Sequence, residues 1–436
     1  MARLTRRLRL WRADQGGVIT IFSLFLLVIC LMIGGLAIDY GNAIRARTTL
    51  QQAADATAHA ALVYREFATS DTATTQAVAF AYSDLPAARA GDIVQPADIQ
   101  FGTWDPATRS FTADPTSRSA VQVNMHESAT SGNAIATYLL KLVGFDHWNI
   151  NVSSVFETYY PACMTEGFVG QVAVDLQSNN NYLNGFCIHS NAAVSINSNN
   201  YFEAGTAVTM PNPAQIQLPA SGFDSNTGLA AALQKDSWNI RILDQIDTIA
   251  AGLAAGDSRY LPSYITNSVP NTYTGKKVDS TSFTQGNIYV ASCNGSSPLQ
   301  ISNGTVLIGV VLVTNCNLNF GSNVQLHDVA IVDTNTSSKA VTGASGVQVG
   351  MNDNCAPGGG ASIMTDGGMD FPAALSLYGG QLVAKSDISF SANGNGVQGA
   401  SVISGGTVSG TSGMTMAYCG TGMEDDFRAE YFRMVQ

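Results

Sequence analysis

The residues that could do chemistry are few and scattered. Asp328 and Asp333 lie five positions apart, with Lys339 after them. Two carboxylates and a cation on one face are the ingredients of polysaccharide cleavage, where one acid gives a proton and the other serves as base or nucleophile. The segment that holds the acids, QLHDVAIVD, alternates like a strand, so the plainer reading is turn and surface charge. The five histidines (His59, His126, His147, His189 and His327) show no His-Glu-x-x-His or other paired ligand spacing. His327 reads as a solvated or hydrogen-bonded strand residue. There is no phosphate-binding loop, no strand-linked Gly-x-Gly-x-x-Gly and no Gly-x-Ser-x-Gly elbow. A non-enzymatic chain without metal or cofactor is therefore expected. Tyr182, Phe186, Tyr201 and Phe202 lie close together and would suit glycan stacking if they faced outward, but rings in stacked β folds more often fill the interior.

Of seven cysteines, Cys30 sits in an apolar run and reads as a small apolar side chain. The others are Cys163, Cys187, Cys293, Cys316, Cys355 and Cys419. In an oxidising compartment these six can form three disulfides, and spacing alone does not choose the pairing; buried free thiols are the other reading. The Asn-x-Ser/Thr matches at Asn151, Asn294, Asn303 and Asn335 carry little information in so Asn-rich a chain.

These residues must be positioned by an unusual set of elements. The run VITIFSLFLLVICLMIGGLAI, residues 18–38, has no charge and is long enough to cross a bilayer as a helix. Residues 1–17 hold five arginines against Asp14, a net +4, which leaves −15 of the total −11 for the rest of the chain. Basic residues ahead of the span place the N-terminus in the cytoplasm and export the body. A cleaved signal peptide is the competing reading, but the apolar run is long for one and the helical pattern continues beyond it. The acidic body argues against nucleic acid as a partner. Past the span, residues 39–66 continue as a stalk helix, and Leu36, at the end of the span, begins a mostly small-residue seam that runs through Tyr40, Ala43, Leu50, Ala54 and Ala61. The seam would face either a partner helix or the chain's own domain. Gly34, Gly35 and Gly41 would loosen the helix where it leaves the bilayer.

Residues 67–160 read as a small α+β domain. DIQFGTWD, SFTAD, AVQVNMHE and NINVSSVFETYY are its strands, and a helix is expected from Ser131 to a stop at Gly144. From residue 161 to 423 short alternating strands sit between Asn-, Ser- and Gly-rich turns, with starts roughly every 17–20 residues, which suggests stacked rungs. A parallel β-helix is the expected architecture, with a β-sandwich as the alternative. Residues 226–257 read as two helices inserted in it, with Ile240, Leu243, Ile246, Ile249 and Leu253 on one face, covering an end or flank. The tail 424–436 reads as a short amphipathic cap.

The segment GGVITIFSLFLLVICLMIGGLAIDYGNAIRARTTLQQAADATAHAAL, residues 16–62, resembles the N-terminal part of TadG-like proteins (the TadE/TadG family) of Flp/Tad pilus assembly. Asp39, Tyr40, Gly41, Arg47, Leu50, Gln51, Ala53, Ala54 and Asp55 occupy the family's motif places, a match over about a tenth of the chain. IQFGTWDPATRSF and AVQVNMHES resemble the strand region that follows in that family. A long helix followed by a small sheet is also the general plan of pilin-type subunits. The resemblance implies an inner-membrane protein with a periplasmic body, acting in the assembly or function of thin adhesive pili, and a single-pass, non-enzymatic component is the reading it leads to. Its partners would be other Tad pilus-apparatus membrane proteins or pseudopilins, and its solenoid would meet a surface glycan or protein. Pseudopilins carry a Glu five residues after the cleaved Gly, where this chain has Ile21 or Phe22, so a retained anchor is implied. Many members carry a von Willebrand A domain with a metal motif; VAVDLQSNN, residues 172–180, has its strand but Gln177 in place of the first motif Ser, so no metal site is transferred. A minor pilin in the fibre and a membrane-tethered glycan-binding or glycan-cleaving β-helix are the alternative readings.

Overall fold

A computed structural model describes residues 16–294, 298–410 and 412–436. The arginines of the basic tail lie outside the described residues. Two units are present, Met1–Tyr159 with Glu430–Gln436, and Tyr160–Ala429.

The first unit is built on one helix, α1 (Gly16–Phe67), unbroken across the apolar run and the Ala-rich stalk. The glycines expected to loosen it do not interrupt it. A glycine inside a helix costs about 1 kcal/mol against alanine, which the strong helix formers around it offset. The expected seam packs within its own unit. Leu50, Ala54, Ala58, Ala61 and Leu62 are buried with Val121, Val123 and Val152 of the sheet, whereas Leu36 and Tyr40 remain exposed. A second helix, α2 (Ser70–Asp84), was not legible in the sequence; Thr69 caps it by accepting the Thr72 N–H, and Ala73, Ala77 and Ala81 form its buried face. Its Ala/Thr composition has almost no polar–apolar contrast, so periodicity cannot show it.

Against α1 lies an antiparallel sheet of β1 (Ile99–Asp105), β2 (Ser110–Ala113), β3 (Ala120–Glu127), β4 (Ile150–Tyr159) and β5 (Tyr431–Met434), in the order β2-β1-β3-β4-β5. The C-terminal segment therefore supplies an edge strand of this sheet and is not an amphipathic cap. The helix expected over 131–144 is also absent. Ile135–Ala136 pairs with His147–Trp148, and only Leu140–Val143 coils, as a 3-10 turn ending at Gly144. The Asn133 amide explains the extended start: it donates to the carbonyls of Ala90, Asp92 and His126 and accepts from the Ser128 N–H.

The second unit is a parallel solenoid, and the sandwich alternative is set aside by the direction of every strand pair in it. Cys187 pairs with Gly167 and with Ala207, so successive turns here are 20 residues apart. Three parallel faces run along the stack. Inward residues form columns; one reads Leu233, Val208, Ile188, Phe168, Val402, Leu382, Ile363, Ile331, Leu312 and Tyr289. Corners turn on asparagine. Asn179 and Asn199 adopt φ of 64° and 62°, and the buried Asn180, Asn200 and Asn226 stack into a ladder. Asn200 Oδ1 accepts the Asn180 N–H at 2.9 Å, and Asn226 Oδ1 accepts the Asn200 N–H at 3.1 Å. A buried polar group of this kind is tolerated because it is hydrogen-bonded.

The order of turns along the stack differs from the order along the chain. The chain starts at the turn holding Gly167–Gly170 and coils away through Cys187–Ser190 and Ala207–Met210 to Leu233–Lys235. It then resumes at the opposite end, at Asn271–Tyr273, and coils back until residues 401–404 pair with residues 167–170. The first and last turns are thus neighbours in mid-stack. The connection is the strap that holds α3 (Ile242–Ala255), the one long helix of the region read as two. Asn226–Thr227 and Leu233–Lys235 are rung strands with a single helical turn, Leu229–Ala232, between them. Gly228 forces this: at φ 83° it lies so close under the Phe202 carbonyl that an added Cβ would be 2.0 Å from the oxygen. Of the expected apolar face, Ile240, Ile246, Ile249 and Leu253 are buried and Leu243 is partly buried; α3 lies on a flank, against residues 287–291, 306–314 and 325–333. This explains the burial of Val313 and Val332, the first members of an outward apolar column that continues through Met364, Val383, Ile403 and Val169.

Candidate functional site at the anchor junction

The residues first considered for catalysis do not assemble. Asp333 is buried and its carboxylate accepts from the Asn335 N–H and the Thr365 hydroxyl. Burial pushes its pKa up to about 8. Asp328 accepts the Gly359 N–H at 2.7 Å, and Lys339 pairs with Asp370. The three side chains thus have separate structural duties. A cleft lined by Tyr264, Asp328, Gly358, Glu424, Asp425 and Asp426 gathers more acids. Each is spent on the chain itself: Glu424 accepts from Gly358 and Gly422, Asp425 from Ser263, and Asp426 from the Ser362 hydroxyl. They bind the segment after residue 422 to the stack.

Among the described residues, no group of three or more His, Cys, Asp or Glu side chains is placed to hold a metal ion. His189 is buried, with its ring nitrogens bonded to Thr209 and Asn191, and burial pulls its pKa down. His327 is partly buried beside Gln348. Tyr182, Phe186 and Phe202 lie in the core, with Tyr182 stacked on Phe202 at 4.7 Å, while Tyr201 is exposed. They do not form an outward stripe. The six cysteines pair as Cys163–Cys187, Cys293–Cys316 and Cys355–Cys419. Cys30 is free and exposed.

The built site is at the other end of the chain, where the apolar run of α1 stops. Asp39 is 1 % exposed, and three consecutive N–H groups point at its carboxylate. Tyr138 donates to Oδ1 at 2.8 Å; Leu139 and Leu140 donate to Oδ2 at 3.0 and 2.7 Å. Such a set satisfies the charge of a carboxylate. Just below, a Cβ added at Gly35 would lie 2.9 Å from the Leu139 Cβ, so only glycine lets the loop approach. The loop is closed behind this contact by Thr137, whose hydroxyl and N–H donate to the Phe145 and Asp146 carbonyls. Farther along α1, Gln51 Nε2 donates to Asp55 at 2.7 Å and to the Ser153 carbonyl of β4 at 3.1 Å. Leu50, Ala54 and Ala61 have no exposed surface. Tyr40, Gly41 and Arg47 are exposed, with the Tyr40 ring 6.3 Å from Trp148. The motif thus fixes the helix to its own small domain and leaves three members on the surface.

The comparisons agree with this division. Residues 17–79, which span α1 and much of α2, match the family model described as Putative Flp pilus-assembly TadE/G-like. The N-terminal segment is TadG-like. Residues 167–420, more than half of the chain, match the model described as Domain of unknown function (DUF7867). The chain belongs to the DUF7867 family. The DUF7867 region coincides with the solenoid and takes the place in which a von Willebrand A domain was considered. No curated protein matches the chain, and no solved structure does. The TadE/G-like match and an apolar helix long enough to cross a membrane together fit a membrane protein associated with the Tad pilus, of a family that points to a structural protein. The role of Asp39 as loop holder was not legible in the sequence, because its three donors lie about a hundred residues away and are backbone groups.

Proposed function

We propose that this chain is a single-pass inner-membrane component of a Tad/Flp-type pilus assembly system and that it does no catalysis. In this reading residues 1–17 are a cytoplasmic basic tail, 18–38 the span, and 39–66 the stalk. Residues 67–160 and the solenoid over 161–423 work in the periplasm. The carrying observation is the motif Asp39, which is spent on locking the emerging helix to its small domain. That is a mechanical duty: it transmits position from anchor to body. The three disulfides fit an oxidising compartment.

Ala54 and Ala61 are committed inside their own unit, so the surface left for neighbouring pilus-apparatus helices is the face with Gly41, Ile44 and Arg47. The solenoid presents its outward polar turns to a protein or glycan partner. Deleting the chain from its producing cell is expected to abolish or strongly reduce surface pili, and Arg47→Glu is expected to reproduce much of that loss while leaving the protein folded and in the membrane. Normal pili in the deletion strain would overturn the proposal.

A further inference from the structure

The loop held by Asp39 carries an exposed apolar surface for which the fold offers no cover. Tyr138, Leu142, Val143 and Phe145 are 69 %, 71 %, 47 % and 43 % exposed, and Tyr40 beside them on α1 is 53 % exposed. The loop's Lys141 and Asp146 are exposed as well. Monomeric soluble surfaces seldom gather large apolar side chains in this way. The position of the loop identifies the occupant. The charge-free run of 21 residues ends at Ile38; at about 1.5 Å per residue it spans about 31 Å, the thickness of a hydrocarbon core. Leu139 packs at Gly35 and the loop's N–H groups reach Asp39, so the loop straddles the last helical turn inside the core and the first turn outside it. Tyrosines and a nearby Trp148 are the side chains that settle at this depth, and a lysine there extends to lipid phosphates.

We propose that residues 138–145 are a second membrane contact, a foot that lies in the lipid interface where α1 emerges. Its occupant is the bilayer that α1 itself crosses, so the foot rests on the anchor reading. It would fix the tilt and rotation of the small domain on the membrane, which a single helix leaves free. The amides that Asp39 satisfies are what permit backbone at this depth, because an unpaired N–H near hydrocarbon is costly.

The test uses full-length protein in nanodiscs of phosphatidylethanolamine and phosphatidylglycerol, with a fluorescent amino acid placed at Leu142, at Ile29 or at the remote turn residue Thr108. Lipids carry a nitroxide near the head of the acyl chain, matching a depth of about 5–10 Å. Several-fold stronger quenching at Leu142 than at Thr108 is expected, together with a blue-shifted emission. Asp39→Asn should lower the Leu142 quenching toward the Thr108 level while Ile29, probed with a deep nitroxide, stays quenched. Quenching at Ile29 without quenching at Leu142 would overturn the foot and leave the anchor standing; no quenching at either would overturn both. A Leu142 blue shift that grows with protein-to-lipid ratio without nitroxide quenching would mean that a second copy covers the loop, and would also overturn the proposal.

Discussion

The two units solve the packing problem in opposite ways. The first brings helix α1 close to a sheet and to α2 by using alanine: Ala54, Ala58, Ala61, Ala73, Ala77 and Ala81 are all buried without exposed surface. The second fills its interior with columns of large side chains, among them Phe168, Phe186, Phe320 and Phe371. The difference teaches where each unit is fragile. A core made of small residues has no room to gain volume, while a core of stacked rings and aliphatics suffers when it loses volume. The connections differ as well. The solenoid is inserted between β4 and β5, which pair at Tyr159 and Tyr431. An insertion of that kind needs both chain ends to leave from one place, and starting the coil in mid-stack brings residues 167–170 beside residues 401–404.

The largest effect is expected at that closure. Phe168 lies in the turn that joins the two stretches of the coil, with Phe186 at 5.0 Å and Phe390 at 5.5 Å. Phe168→Ala should destabilise the solenoid by about 3–5 kcal/mol. Hydrogen exchange should rise on both sides of the closure and stay unchanged in β3 and β4; equal loss in both units would break the comparison. Next, replacing Cys293 and Cys316 together by serine should cost about 2–4 kcal/mol, read as a lower Tm for the solenoid. An unchanged Tm would show that this link adds nothing to the stack. Ala61→Leu should cost about 1–3 kcal/mol by overpacking and raise hydrogen exchange in α2 while the solenoid is unaffected. If Ala61→Leu is neutral, α1 is not held as closely as its burial requires.

The smallest effect is one of pH. Burial raises the Asp333 pKa to about 8, far above the ordinary 3.8. The folded state therefore holds this proton more tightly than the unfolded chain does. Its contribution is fully present below pH 3.8, falls progressively above it, and is gone once pH has risen through about 8. Asp426, also raised by burial, acts in the same direction, whereas His189, whose pKa is lowered, disfavours folding only in acid. Solenoid stability measured by urea should fall from about pH 7 to 8, clear of the range in which His189 acts, and level off above, and Asp333→Asn should flatten that slope. A steeper slope in the variant would contradict the sign.

The sequence disclosed the long apolar helix, the rungs and the strands of the small sheet because each depends on a local pattern. Apolar columns recur at the turn length, and β3 reads inward and outward at every second residue. Where contrast was low or the determinant remote, reading failed. The Ala/Thr helix α2 has no polar face to mark it. Residues 131–144 read as a helix by composition, but Asn133 and Asp39 take backbone groups of this segment and its neighbours for other uses. Asn226–Thr227 and Leu233–Lys235 are rung strands because Asn226 belongs to a ladder whose other members lie a turn away. The permuted order of turns has no local signal at all, since every turn looks alike to its neighbours. At the junction, the motif residues were legible as a set, but their partners were not, because three backbone amides leave no mark in composition.

The central claim is that the TadG-like helix is a retained anchor for an assembly component. Pili sheared from producing cells, with the fibre and inner-membrane fractions probed for this chain and its size recorded, test it most directly. The account predicts full-length protein confined to the inner membrane. A form shortened near Gly16 or Gly17 in the fibre fraction would contradict it and make the chain a processed minor pilin.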